Sequence, residues 1–135
     1  MSRFSPGRFA AEAGAISALS ALALVFALGG AAGDRFAWAA RGFLAMALPV
    51  IGAGWWLARE HGRAGGAFVI ALGAGFILRA ALLAVVVATA ARRGPDALVG
   101  ALAGLAAGFV PLTAFEMLWF TRRAHRASAE ATGGA

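Results

Sequence analysis

Cysteine, lysine, asparagine, glutamine and tyrosine are all missing from the 135 residues, and only six side chains are acidic. Without cysteine there is neither a disulfide nor a thiolate metal site. The two histidines, His61 and His125, stand apart in basic segments without the clustered ligands that a metal site requires, and both read as solvated. No nucleophile lies beside a base, and no phosphate-cradling glycine loop is present, so enzyme chemistry is not expected and no cofactor is implied. Every strong base is arginine. Beside so much alanine and glycine, this reflects the codon bias of a GC-rich genome more than a chemical choice of arginine over lysine.

Charge as a whole is scarce. Charged residues make up 13 % of the chain and hydrophobic ones 61 %, far from the balance of a soluble domain and in keeping with a membrane protein. Four apolar runs use nearly all the length, at about 14–32, 36–57, 66–90 and 97–120. Each approaches or exceeds the roughly 20 residues that a helix needs to cross about 30 Å of hydrocarbon. The alternating strands of a membrane barrel are absent. The expected fold is therefore an all-α membrane protein: one domain over 1–135, four transmembrane helices in two antiparallel hairpins, and a basic, mobile tail at 122–135.

The net charge of +6 clusters at span ends, which fits anionic lipid headgroups and topology signals, with no nucleic-acid partner. Four spans put the N-terminus, the middle loop and the C-terminus on one side. That side carries Arg3, Arg8, Arg59, Arg63, Arg122, Arg123 and Arg126, against Arg35, Arg41, Arg92 and Arg93 on the other. The excess places both termini in the cytoplasm, in a bacterial inner membrane. Trp55 and Trp56 before Arg59, and Trp119 and Phe120 before Arg122, read as interfacial aromatic belts on that side, with Trp38 marking the other. Arg3 and Arg8 ahead of an apolar run also suit a cleaved signal peptide. The run is longer than a signal core and Glu12 interrupts the basic lead, which favours a first span.

Association between helices in lipid depends on close packing, which small residues permit. "GALAGLAAG" sets Gly100, Gly104 and Gly108 one turn apart, a face suited either to this protein's own helices or to a partner's. Pro49 and Pro111 each remove a backbone donor within a span, freeing the carbonyls of Ala45 and Ala107, so kinks are expected at both. Ser17, Ser20, Thr89 and Thr113 are expected to bond to their own helix backbones.

Arg79 stands at the centre of the third run, within "GAGFILRAALLAVV". A charge at that depth costs about 2.5 to 3.5 kcal/mol on insertion scales and calls for a partner or a task. Five of the six acids lie at span ends or in the tail; only Glu116 lies within a span. If the third and fourth helices turn back near Gly94, Arg79 is level with Phe109 and Glu116 lies seven residues further on, about 10 Å away. The pair reads either as an internal clamp that fixes helix register or as two groups meeting a charged partner subunit or an ion.

"GAGFILRAALLAVV", followed by a Gly-rich span ending in "FEMLWFTRR", resembles the ATP synthase protein I family, small four-span accessory proteins encoded with bacterial F-type ATP synthases. The resemblance implies a non-enzymatic assembly factor for the rotor ring, with a suggested part in supplying magnesium or calcium. The ATP synthase c or a subunit would then be its partner. Arg79 would meet a carboxylate, either Glu116 or the ion-binding acid of a c subunit. Two other functions remain open on the residues alone: a small ion transporter or channel using Arg79 and Glu116, and a structural subunit of another membrane complex held by the Gly100, Gly104 and Gly108 face.

Overall fold

A computed structural model describes residues 5–30, 33–60 and 66–133. Arg3, His61, Arg63 and the end of the expected first span, 31–32, lie outside them. Four helices follow in order: α1 (Pro6–Ala27), α2 (Asp34–Glu60), α3 (Ala67–Ala91) and α4 (Pro95–Gly133). All four are long and apolar enough to cross a membrane.

The helix starts follow local chemistry. Ser5 caps α1, its hydroxyl accepting from Arg8 N at 3.3 Å, and Pro6 occupies the first turn, where its missing N–H costs nothing. Asp34 and Asp96 stand in the first turns of α2 and α4, where the helix dipole favours an anion. Gly94 (φ 125°) makes the tight return from α3 to α4 in a conformation that a side chain would strain. Both interior prolines sit in unbroken helix, α2 passing through Pro49 and α4 through Pro111.

The expected tail at 122–135 is helical as far as Gly133. Alanine-rich "RRAHRASAEATG" favours helix, and its hydroxyls bond back along it: Ser128 to the Ala124 carbonyl at 3.1 Å, Thr132 to the Ser128 carbonyl at 2.8 Å.

Within the bundle α2 and α4 form the central pair, running in the same direction, with α1 and α3 on the flanks and no contact between those two. Glycine makes the pair possible. A Cβ at Gly100 would lie 2.1 Å from the Arg35 carbonyl oxygen, one at Gly104 2.0 Å from that of Ala39, and one at Gly108 2.8 Å from that of Phe43. Gly42 reciprocates from α2 against the Ala101 carbonyl. The glycine face seen in the sequence thus seats α4 on its own neighbour α2, backbone against backbone. Arg35 donates to Asp96 across the N-terminal ends of the two helices.

The core divides in two. At one end Phe9, fully buried, inserts its ring where a Cβ at Gly54 would be, and packs on Phe115, Trp119 and Phe120 at ring distances of 5.5, 5.0 and 6.2 Å. At the other end Trp38 is buried with Ala90, Ala97 and Ala101. Trp119 and Trp38 therefore face inward, unlike the belt residues expected from their positions. Alanine neighbours leave room for the Trp38 ring and Trp119 packs on Phe9 and Phe120, whereas Trp55 and Trp56 do point outward. Arg41 lies over the Trp38 ring at 4.8 Å and Arg59 over the Trp55 ring at 5.5 Å.

Candidate functional site

α3 is the most apolar of the four helices, yet its buried residues are only Ala71, Gly75 and Ala90. Small residues face the bundle and large ones face out. Gly75 is set against Ala53 of α2, whose Cβ would lie 3.1 Å from an added Cβ. α3 packs more on α2 than on α4, its neighbour in sequence.

Between them opens a groove of about 1200 Å³, with α3 and α4 as walls and Met46, Ala53 and Leu57 of α2 as floor. Its lining is overwhelmingly apolar and includes Phe68, Phe76, Phe109 and Phe120. Four polar side chains line it: Arg79, Glu116, Thr113 and, just beyond Phe120, Thr121, whose hydroxyl is taken up by the Met117 carbonyl.

Arg79 and Glu116 meet. Arg79 Nη2 donates to Glu116 Oε2 at 3.0 Å and to Oε1 at 3.3 Å, with the side chains only 14 % and 11 % exposed. The 10 Å gap implied by a turn at Gly94 is closed because α2, and not the turn, sets the register. Gly75 meets α2 at Ala53, and Gly108 meets it between Phe43 and Ala47. Counted from those contacts, Arg79 and Glu116 are offset by about one turn, roughly 5 Å, which an extended arginine spans.

The pair is neutral as a whole but rich in donors. A guanidinium carries five N–H groups, and Glu116 takes those of Nη2 alone. Arg79 Nε is fully buried without an acceptor, and Nη1 has none among the described residues and stays open. The Thr113 hydroxyl is likewise buried and unpartnered. It departs from the habit of its kind: Ser17, Thr89 and Thr121 all donate to the carbonyl four residues back. Sequence reasoning grouped Thr113 with those self-bonding hydroxyls and missed its place beside the pair. The signal available was its spacing, one turn before Glu116 on the same face of α4.

Among the described residues no three His, Asp or Glu side chains come together as a metal site. No family model, curated protein or solved structure matches the chain.

Proposed function

We propose that the protein is a non-enzymatic accessory or assembly factor for a multisubunit energy-transducing complex of the bacterial inner membrane. Its helices cross as two antiparallel hairpins, with both termini in the cytoplasm. The carrying observation is α3: a helix with only Ala71, Gly75 and Ala90 buried is nevertheless tied to α4 by an intramembrane ion pair. A helix that only filled lipid would not need a charge at bilayer depth, where charges are costly and serve a purpose. In this reading the pair is the clamp that presents the outer face of α3. Ile70, Ala74, Ile77, Ala81 and Val85 form one exposed stripe there, alternating large and small in the way that lets a partner helix approach closely.

The resemblance of the third and fourth spans to the ATP synthase protein I family makes the c and a subunits of an F-type ATP synthase the first partners to test. Ion transport through Arg79 and Glu116 is less favoured, because the two groups close on each other in a groove with apolar walls.

The test is isolation of a tagged copy from its native membrane in mild detergent, beside Arg79→Leu and Ile77→Arg. Synthase subunits should accompany the unaltered protein and be lost from both variants, with recovery normalised to the amount of each form that is inserted and helical in the membrane. Mature complex should contain little of the protein. Equal recovery of subunits with Ile77→Arg refutes the α3 face; recovery of none with any form refutes the assembly role.

A further inference from the structure

The groove between α3 and α4 holds chemistry that a purely structural clamp leaves unused. Three N–H groups of Arg79, those on Nε and Nη1, have no acceptor among the described residues, and the Thr113 hydroxyl beside them has no partner. At this depth water is absent, and an unpaired buried donor costs as much as a lost hydrogen bond. The missing complement is an oxygen acceptor. It is also uncharged: Glu116 already balances Arg79, so a further anion would stand in low dielectric without a counter-charge.

The shape defines the rest of the ligand. The groove extends along α3 from Phe68 to Leu83, about 22 Å at helical rise. Its volume is about 1200 Å³. That is room enough for a flat ring followed by a flexible hydrocarbon chain. The lining rings of Phe76 and Phe109 supply flat walls for such a head. Phospholipid headgroups are too large and too hydrated to descend to the level of Arg79.

We infer that this groove is a binding site for a long-chain amphiphile with a compact, uncharged carbonyl head, the chemistry of a membrane quinone. The head carbonyl accepts from Arg79 Nη1, which is the guanidinium nitrogen left open, while the chain follows the apolar walls. The site lies on the side of α3 away from Ile70 and Ile77, so it stands or falls separately from the partner face proposed above.

The probe is a benzoquinone with a saturated ten-carbon tail, titrated into the full chain in lipid nanodiscs, with binding read by quenching of tryptophan fluorescence and counted by a radiolabelled copy. Saturable binding of one probe per chain is expected. Phe76→Trp, which enlarges a lining ring and leaves the ion pair in place, should weaken it at least about tenfold. Ile77→Trp, on the outer face, should bind as the unaltered protein does. Helicity and elution profile establish that each variant is folded. The proposal is overturned if uptake is a non-saturating partition, if Phe76→Trp binds equally well, if a hydrocarbon of the same length lacking the carbonyls competes as strongly as the quinone, or if a fatty acid carboxylate displaces it at lower concentration.

Discussion

Replacing Gly104 by alanine adds one methyl group at the tightest point between α2 and α4. Its Cβ would stand 2.0 Å from the Ala39 carbonyl oxygen and 2.8 Å from both Ala39 C and Phe43 N. All three atoms are backbone in mid-helix, so no rotamer change relieves the clash; the helices must part by about 1 Å to reach even the 3.0 Å limit of real contacts. Overpacking of this kind costs about 1–3 kcal/mol. Opening the seam by 0.5–1 Å also forfeits roughly a quarter to a half of the dispersion energy of each contact along it. Against this, alanine in a helix gains about 0.5–1 kcal/mol over glycine. The balance is a net destabilisation on the order of 1–3 kcal/mol. Gly52 is the matched control: it lies in α2 with nothing within 4 Å of an added Cβ, so Gly52→Ala should be neutral or slightly stabilising. Both variants are compared by titrating the purified chain from mild micelles into dodecyl sulfate and following helicity. If Gly104→Ala unfolds at the same detergent fraction as Gly52→Ala, the backbone-to-backbone seam does not hold the bundle together.

Phe9→Ala should cost about 3–5 kcal/mol in the same titration, because it empties a fully buried slot against Gly54, Trp119 and Phe115; a loss below 1 kcal/mol would mean that the slot collapses. Asp96→Asn breaks the Arg35 pair, whose side chains are 44 % and 69 % exposed, so screening limits the loss to less than about 1 kcal/mol, measured as a small shift that shrinks further with added salt. Thr113→Val removes a buried hydroxyl with no partner, and the unliganded protein should be as stable as before or gain up to about 1 kcal/mol; a clear loss would show that the hydroxyl is satisfied after all.

The four helices were legible because hydrophobic runs of membrane length have few other fates, and Arg79 with Glu116 because charge in such runs is rare. Their meeting was legible only as one of two readings, and as a stretched one. A hairpin argument places residues by counting back from the nearest turn, whereas α3 takes its register from Gly75 on Ala53 of α2, a contact distant in sequence. The glycine face of α4 was visible as a pattern, but a pattern of small residues does not say which helix it receives. Trp38 and Trp119 were misplaced for a related reason. Position near a span end suits a membrane interface, and only the space left by alanine neighbours and the seat of Phe9 turn these rings inward. The helix continuing through 122–133 follows from alanine content, a local signal that the polarity of the segment masked.

Whether Arg79 serves register or recognition is separable by a double-mutant cycle. Arg79→Leu leaves a buried carboxylate alone and Glu116→Leu a buried guanidinium; each single change should cost about 3–5 kcal/mol, since breaking a desolvated pair strands a charge. Leucine at both positions removes both charges together and fills the space with apolar side chains, so the double variant should recover to within about 1–2 kcal/mol of the original, a coupling of several kcal/mol. Simple additivity of the two single losses would refute the pairing. The stable double variant then decides the role. If it still captures the partner, the ion pair acts only by holding α3 in place, and its costly charges are a matter of register. If it is well folded and captures nothing, the charges themselves are met by the partner, and the groove rather than the outer face of α3 is where the two proteins join.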